Sequence, residues 1–310
     1  MTATSGALEL PPLGLGMAPI GKDPDADAHA IVDVAWAGGI RYFDTAPLYG
    51  GGRSERRAGR ALAGRPRETY LLSTKVGEYL EDGVRYIDHS YAKSMSSFDD
   101  SLDRLGVDRV DLLYVHAPGG RMAEVLAGAY PACEELRRQG RVTAVGAGVT
   151  SAGEGLEFVR SCDIDVLMLA GRYTLLDASA GGELLPLCLD RGIAVVTAGV
   201  FNSGILTGAP SETTYDYLPA SHDILAAAGV LRDTCDRWGI PLGAVAMRFS
   251  ALHPAVVSEV VGANTAGQLR QSIQWWRTDI PADLWEELEA AGLVPPGTAA
   301  FATPADGAGA

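Results

Sequence analysis

Four side chains that can carry charge or exchange protons lie at or near the ends of short apolar runs. Asp44 and Tyr49 belong to the stretch "YFDTAPLYGGGRSE", Lys75 closes a second run and His116 a third. Carboxylate, phenol, ammonium and imidazole are groups that general acid–base catalysis uses. Each also has a structural explanation when taken alone: a helix cap, a rim aromatic, a solvated charge and a hydrogen-bonded core histidine, respectively. A catalytic set requires a fold that brings all four together.

The elements that must position these residues are short, β-branched apolar runs separated by longer amphipathic segments. Strands buried on both faces have this pattern, and repeated strand–helix units predict a parallel α/β fold. The runs lie at 13–19, 40–46, 69–77, 110–117, 142–150, 165–171, 193–200 and 258–263. Eight units match a (β/α)₈ TIM barrel, whose active site lies at the C-terminal ends of the strands. Asp44, Lys75 and His116 then end strands two, three and four at one rim.

Helices between these runs are predicted from spacing and from end signals. Apolar residues recur at 3-4-3 spacing within 91–105, and Gly106 follows as a stop signal. Ser54 is expected to cap the helix that follows Tyr49. We predict one barrel domain over 1–294 and a Pro-, Gly- and Ala-rich, poorly ordered tail over 295–310.

A doubly wound dinucleotide-binding domain is the competing fold. Its G-x-G-x-x-G fingerprint joins a strand to a helix. Here Gly14 and Gly16 are present, but the third glycine, Gly21, comes two places late and Pro19 interrupts the motif. The sequence therefore favours the barrel.

Composition limits the classes of partner. The chain has 310 residues, 47% of them hydrophobic, and a formal net charge of -14. Such an acidic surface repels phosphate backbones and anionic lipid, so we expect neither nucleic acid nor membrane as a partner. Four cysteines without CxxC spacing indicate no zinc site and no disulfide framework. We expect reduced thiols in a cytoplasmic protein, no signal peptide and no metal.

Three motifs, in order along the chain, resemble those of the aldo-keto reductase family. "FDTAPLYGGGRSE" is similar to the family's D-T-A-x-x-Y-G-x-S-E signature with two extra glycines, "STKVG" to its lysine motif and "LLYVHAP" to its histidine motif. The resemblance extends from "LGLG" to the strand-eight segment "VVGANTAGQLRQSI". It implies a (β/α)₈ barrel that binds NAD or NADP without a Rossmann domain and transfers hydride between the nicotinamide and a small carbonyl or sugar substrate.

The resemblance also implies a role for each of the four side chains. Tyr49 serves as general acid in reduction and as general base in oxidation. A phenol has an ordinary pKa near ~10, and the neighbouring ammonium of Lys75 is expected to lower it. Asp44 holds Lys75 charged and oriented, and His116 hydrogen-bonds the substrate oxygen.

Cofactor contacts are implied less completely, because several family positions differ. The residues that fall on them are Thr150, Ser151, Ala170, Gly199, Phe201, Ser203, Gly204, Gly262, Asn264, Gln268 and Ser272. Ala170 replaces the usual glutamine, and Phe201 is the candidate for stacking on the nicotinamide because Ala198 stands where the family has an aromatic. Asn264 replaces the usual arginine, which slightly favours NAD over NADP.

Within the family, "GRYTLLD" and "FNSGILTG" resemble the branch that oxidises free aldoses at C1, or pyridoxal. Candidate pocket residues are those that follow strands: Pro19, Tyr79, Tyr86, Ala117 and Pro118. A nucleotide-binding sensor or regulatory subunit with the same fold and little turnover is the alternative function, and the complete set of four favours catalysis.

Overall fold

A closed barrel of eight parallel strands forms the centre of the molecule. The computed structural model describes residues 9–22, 27–116, 119–208 and 213–302. The strands are β1 (Leu13–Gly16), β2 (Tyr42–Asp44), β3 (Leu71–Val76), β4 (Leu112–His116), β5 (Ala144–Val149), β6 (Val166–Ala170), β7 (Ala194–Ala198) and β8 (Val256–Gly262). Each pairs in parallel with its sequence neighbours, and β8 closes the ring on β1. The predicted fold is confirmed: seven of the predicted runs contain one strand each, and β8 begins two residues before the eighth run.

Helices surround the barrel, and two small hairpins stand at its rim. The helices are Ala18–Lys22, Ala28–Ala37, Arg53–Leu62, Tyr91–Leu105, Met122–Glu124, Tyr130–Arg138, Ala152–Ser161, Leu184–Asp190, His222–Arg237, Leu242–Ser250, Ala266–Trp276, Ala282–Ala290 and Thr298–Ala302. Shorter helical turns are Arg67–Thr69, Val125–Ala129, Ser179–Gly181 and Asn202–Thr207. The hairpins are Glu78–Glu81 with Val84–Ile87, and Thr214–Tyr215 with Leu218–Pro219.

The strands are apolar throughout because both of their faces are covered. One set of side chains fills the barrel interior, among them Tyr42, Tyr114, Met168 and Val260. The alternate side chains pack against the helices in a larger, continuous core. This two-sided burial explains why the sequence shows runs rather than alternation.

The helix Tyr91–Leu105 has the buried apolar face and the end at Gly106 that its sequence predicts. Its buried face includes Phe98, Leu102 and Leu105, in accord with the predicted spacing. Ser90 caps the start by accepting a hydrogen bond from the Lys93 N–H, and Gly106 ends it with a φ of 69°.

One local prediction differs from the structure. Ser54 is not a helix cap: the helix starts at Arg53 after Gly52, and the Ser54 hydroxyl donates instead to the carbonyl of Met17 at 2.9 Å. The segment after 294 includes a short helix, Thr298–Ala302, near whose start the Glu289 carboxylate accepts from the N–H groups of Gly297 and Ala299. Residues 303–310 lie outside the described residues.

Membrane insertion by a helix finds no support in the described residues. None of the helices among them is both long enough and apolar enough to cross a bilayer.

Candidate active site

The four candidate catalytic residues meet at the carboxyl-terminal rim of β2, β3 and β4. Asp44 ends β2, Lys75 lies one residue before the end of β3, and His116 ends β4. Lys75 is 1% exposed and its ammonium lies 2.7 and 2.6 Å from the two oxygens of Asp44. It also donates to the carbonyl of Thr45 at 2.9 Å. The ammonium is therefore fixed at one point by three acceptors.

Tyr49 stands above this ion pair. The Lys75 Nζ atom lies 4.9 Å from the centre of the Tyr49 ring. The rings of Tyr49 and His116 meet edge to face, with centroids 5.7 Å apart at 88°. Strand order puts the ammonium and the imidazole at one part of the rim, and the loop after β2 adds the phenol, although Tyr49 and His116 are 67 positions apart.

The loop that carries Tyr49 is held by close backbone contact with the first helix. A Cβ atom added to Gly21 would lie 2.6 Å from the Tyr49 carbonyl oxygen. Gly50 has a φ of 65°, and a Cβ there would collide with the Gly21 carbonyl. The glycines after Tyr49 thus let two backbone segments touch, which fixes the height of the phenol above the rim.

Ser54 and Glu55, the Ser-Glu pair of the signature, hold the Tyr49 loop in place through buried hydrogen bonds. Ser54 accepts from the Thr45 hydroxyl at 2.7 Å. Glu55 is fully buried and accepts from the Thr74 hydroxyl at 2.6 Å and from Arg104 at 2.6 Å. Because Thr74 precedes Lys75 in β3, Glu55 ties the Tyr49 loop to the strand that carries the lysine.

A hydrogen-bonded chain inside the barrel supports Asp44. Ser73 donates to Asp44 Oδ1 at 2.6 Å and contacts the Tyr42 hydroxyl at 3.1 Å, which in turn lies 3.0 Å from the Tyr114 hydroxyl. Because Ser73 and Lys75 both donate to the carboxylate, and the two tyrosine hydroxyls continue the chain from Ser73, the Asp44 side chain is held in one orientation.

Burial and neighbouring charges shift the pKa of Lys75 in opposite directions. Burial lowers the pKa of Lys75, but the Asp44 carboxylate and the Tyr49 phenol raise it, and the net direction is upward. Lys75 is therefore a cation throughout the neutral range.

The pKa of the Tyr49 phenol is raised, whereas the neighbouring Lys75 charge alone predicts a lowered pKa. Burial raises the pKa of Tyr49, the Lys75 charge lowers it, and the net direction is upward. Lys75 reduces the cost of the phenolate without cancelling the desolvation of the ring hydroxyl. At neutral pH the Tyr49 hydroxyl therefore keeps its proton.

His116 is a neutral imidazole at neutral pH. Burial lowers its pKa well below the usual value, and the charges of Lys75 and Arg85 and the nearby His89 lower it further. Its Nδ1 atom is buried and has no hydrogen-bond partner among the described residues. The nearest carboxylate oxygen is Glu78 Oε2, at 3.8 Å.

The candidate cofactor residues lie along the ends of β5 to β8, on the other half of the rim. Thr150 and Ser151 follow β5; the Thr150 carbonyl accepts from Arg172 at 2.7 Å, and the Ser151 hydroxyl caps the helix Ala152–Ser161. Ala170 ends β6 and offers no polar group. The serine hydroxyl thus already has a structural partner.

The loop after β7 has an unusual backbone. Gly199 has a φ of 63°, and Ser203 and Gly204 have φ values of 64° and 104°. Ser203 accepts at Oγ from the Tyr217 N–H at 2.8 Å, which ties the loop to the second hairpin. Phe201 packs edge to face on Trp275, with centroids 5.7 Å apart, so its ring has a packing partner on the helix side.

The residues after β8 are engaged mainly with their own helix. Gly262 lies against Pro19, where an added Cβ would be 2.9 Å from the proline ring. The Gln268 side chain accepts from the Asn264 N–H at 2.8 Å, and Ser272 donates to the Gln268 carbonyl at 3.2 Å from a buried position. Of these residues, Asn264 is the exposed polar side chain nearest the end of β8.

The remaining candidate pocket residues fall into two groups. Tyr79 is buried and its hydroxyl accepts from the Gly77 N–H at 2.9 Å, whereas Tyr86 donates to Glu81 at 2.5 Å across the first hairpin. Pro19 borders the end of β8 as described above. Ala117 and Pro118 lie outside the described residues.

Comparison with known proteins identifies the family to which the chain belongs. The model of the aldo/keto reductase family matches residues 12–292, which include all eight strands. The chain belongs to the aldo/keto reductase family. It is an NAD(P)-dependent oxidoreductase, and the family resemblance of its motifs is confirmed.

Three similar proteins cover nearly the whole of this aldo-keto reductase. It is 38% identical to pyridoxal 4-dehydrogenase from Microbacterium luteolum, over 95% of each chain. It is 36% identical to D-threo-aldose 1-dehydrogenase from Pseudomonas sp, over 94% of this chain and 97% of the other. The holo form of aldo-keto reductase AKR11C1 from Bacillus halodurans superimposes with a TM-score of 0.79 at 30% identity, over 91% and 92% of the two chains.

The rim above β5 to β8 fits a nicotinamide nucleotide. Asn202 is 2% exposed, and neither atom of its side-chain amide has a partner among the described residues. A buried amide without partners is costly, and a polar ligand group can satisfy it. Sequence reasoning missed Asn202, because an asparagine in a glycine-containing loop is also a common turn residue.

Metal chemistry has no support in the described part of the chain. No group of three or more His, Cys, Asp or Glu side chains there is arranged to hold a metal ion.

Proposed function

We propose that this enzyme oxidises or reduces a sugar lactol, or a small aldehyde or ketone, with Tyr49 as the general acid and base. The observation that carries the proposal is the position of the Lys75 ammonium, held by both oxygens of Asp44 and 4.9 Å from the Tyr49 ring. Those two contacts hold a positive charge beside the phenol, which lowers the cost of the phenolate that forms when Tyr49 gives up its proton.

In the direction of reduction, Tyr49 donates its proton to the carbonyl oxygen of the substrate. Its raised pKa keeps that proton in place at neutral pH. As the proton leaves, the Lys75 charge stabilises the phenolate, and Asp44 keeps the ammonium beside the ring. In oxidation the phenolate accepts the hydroxyl proton, so the oxidative rate rises with pH.

His116 orients the substrate oxygen. Its lowered pKa keeps the ring uncharged, so it can form a hydrogen bond without placing a second cation beside Lys75. The edge-to-face contact with Tyr49 sets the angle between the two hydrogen-bonding side chains.

The cofactor in this proposal is NAD in preference to NADP. When bound, the nicotinamide supplies the electron pair and hydrogen that the residues above do not carry. Thr150, Asn202, Ser203 and Gly204 would hold it, and Asn264 stands where a ribose phosphate would need a cation. The exposed amide of Asn264 carries no charge, and a phosphate is bound best by a guanidinium.

The proposed substrate class draws on the two relatives named for pyridoxal and for aldoses. Both resemble this chain over nearly its whole length. The test is a panel of aldoses, simple aldehydes and their alcohols, each with NAD and NADP, followed at the nicotinamide absorbance. Sustained turnover on at least one lactol or aldehyde is expected. Tight cofactor binding with no steady-state turnover on any of them would contradict the proposal and favour a sensor.

We also propose a cytoplasmic location. All four cysteines are unpaired and buried, and burial raises the thiol pKa of Cys162 and Cys188 to about 11. Unpaired thiols are typical of reducing compartments. Cell fractionation tests this, and recovery of the protein outside the cytoplasm would contradict it.

A further inference from the structure

Arginines are concentrated in one short segment of this acidic chain. Residues 53–67 contain six arginines and one carboxylate, Glu55, although the whole chain has a formal net charge of -14. Four of the six, together with one arginine of the next long helix, line a groove of about 690 Å³ between the helices Arg53–Leu62 and Tyr91–Leu105. We call it the arginine groove, and its arginines are Arg56, Arg60, Arg65, Arg67 and Arg104.

Two of these guanidinium groups are not neutralised by a carboxylate in the described part of the chain, and they belong to Arg56 and Arg60. Arg56 donates to the Gly51 carbonyl at 3.1 Å, and both side chains are exposed. Like charges four positions apart on a helix repel each other, so this pair destabilises its helix unless an anion lies beside it. The other three arginines form ion pairs: Arg65 with Asp33, Arg67 with Asp111 and Arg104 with Glu55.

The dipoles of the two helices do not account for Arg56. Arg60 and Arg104 lie in the last turns of their helices, where a cation is favourable. Arg56 is the fourth residue of the helix that begins at Arg53, near the end where a cation is unfavourable. The position of Arg56 therefore indicates a role other than stabilising its own helix.

The guanidinium groups of Arg56 and Arg104 converge beside Gly52. A Cβ added to Gly52 would lie 3.2 Å from Arg56 Nη1 and 2.7 Å from Arg104 Nε. Arg104 donates to Glu55 through Nε and to Ser101 through Nη2, and a guanidinium has five N–H groups in all. Two guanidinium groups side by side offer the planar, forked donors that bind the oxygens of a phosphate best.

Apolar side chains line another part of the groove. Leu62, Leu105 and Val107 contribute to this lining, and the ring of Tyr70 has the Arg67 guanidinium 5.0 Å from its centre. A groove of this size and mixed character accommodates a small organic molecule. Asp103, which is exposed at the same groove, repels a longer polyanion.

We propose that the arginine groove binds a small organic phosphate, with the phosphate at Arg56 and Arg104, Arg60 beside it and the organic part on the apolar lining. The groove lies outside the barrel, between the helices that follow β2 and β3, whereas the candidate cofactor residues follow β5 to β8. It is a second site, independent of the proposed function, and it can be occupied while the cofactor is bound.

Isothermal titration calorimetry of the NAD-saturated protein at low ionic strength tests this site. The probe is phenyl phosphate, which has no carbonyl and no oxidisable alcohol and so does not turn over. We expect one binding site with a Kd of about 1 mM or lower, weakened by added salt. Inorganic phosphate, which lacks the organic part, should bind more weakly.

Substitutions locate the site within the protein. Arg56→Gln and Arg60→Gln should each raise the Kd for phenyl phosphate about three- to tenfold, and both should fold because the side chains are exposed. Arg270→Gln, an exposed arginine in a different groove, is the matched control and should leave that Kd unchanged. No binding at about 10 mM probe, or a Kd that neither groove substitution changes, would overturn the proposal. Equal Kd values for inorganic phosphate and phenyl phosphate would overturn the assignment to an organic phosphate.

Discussion

The ammonium of Lys75 spans both oxygens of the Asp44 carboxylate, at 2.7 and 2.6 Å. This contact joins the ends of β2 and β3 and holds a positive charge under the Tyr49 ring, in a region where water has little access. In the proposed mechanism, the ion pair is the part of the site that allows the Tyr49 phenol to act as an acid and a base.

Replacing Lys75 by methionine should therefore change the pH profile as well as the rate. Without the cation, burial and the Asp44 carboxylate both raise the pKa of Tyr49 with nothing from Lys75 to oppose them, so that pKa should rise further. The oxidative rate should fall at neutral pH, and its alkaline limb should move to higher pH. The measurement is kcat against pH for Lys75→Met. The control is Lys93→Met, whose ammonium pairs with Glu81 and whose loss should leave the profile in place. A Lys75→Met enzyme with the native profile and substantial activity would make the lysine merely structural.

The barrel itself could be predicted from the sequence because burial on both faces is recorded locally. Eight apolar runs of strand length, each followed by a helical segment, leave few alternatives. The strand-end positions of Asp44, Lys75 and His116 follow directly from that pattern, and the structure brings them to one rim.

Other features depend on contacts between distant segments, which no local pattern records. Ser54 has the residue type of a helix cap, but its hydroxyl reaches Met17, 37 positions away. Glu78 lies in a hairpin that the apolar runs did not predict. The raised pKa of Tyr49 results from its burial in the folded site, whereas the sequence shows only the neighbouring charge.

Asn202 provides a test of the cofactor side of the rim. Its amide is buried without partners, and its φ is 43°, so glycine can replace it without backbone strain. Asn202→Gly should raise the cofactor Kd about three- to tenfold, measured by quenching of tryptophan fluorescence, because one or two hydrogen bonds are lost. An unchanged Kd in a folded variant would mean that the amide faces no cofactor atom.

The preference between NAD and NADP should depend on the residue after β8 where a cation could bind the ribose phosphate, and that residue is Asn264. Asn264 is exposed and uncharged, and Arg270 lies on another part of the helix, in a groove with Val34 and Arg277. NAD should be used at least as well as NADP in the ratio of kcat/KM values. Asn264→Arg should improve NADP by about tenfold, because it adds an arginine–phosphate contact. A native preference for NADP of about tenfold or more, unaffected by Asn264→Arg, would place the phosphate contact elsewhere.

Glu259 links stability to pH independently of catalysis. It is 0% exposed, accepts from the Ser250 hydroxyl, and burial raises its pKa from 4.5 to about 8. The folded protein thus binds this proton more tightly than the unfolded chain does. The resulting stability is complete below pH 4.5 and is lost as the pH rises through about 8.

Glu259→Gln should remove that loss, because an amide keeps the Ser250 hydrogen bond without a buried charge. We expect its Tm to exceed the native value by about 4 °C or more at alkaline pH, and to match it closely at acid pH. Glu157→Gln, at an exposed position, is the control and should show no such pH dependence. A Tm difference between Glu259→Gln and native protein that is the same at both pH values would show that Glu259 is not protonated in the folded state.

The central claim is that Tyr49 moves the proton, and Tyr49→Phe tests it most directly. The variant keeps the ring that packs against His116 and removes only the hydroxyl. Single-turnover and steady-state rates should fall about 10²–10⁴-fold, while cofactor Kd and Tm stay near native. Tyr91→Phe, at an exposed helix start, should behave like the native enzyme. A Tyr49→Phe enzyme with near-native kcat on the same substrate would contradict the assignment and with it the proposed mechanism.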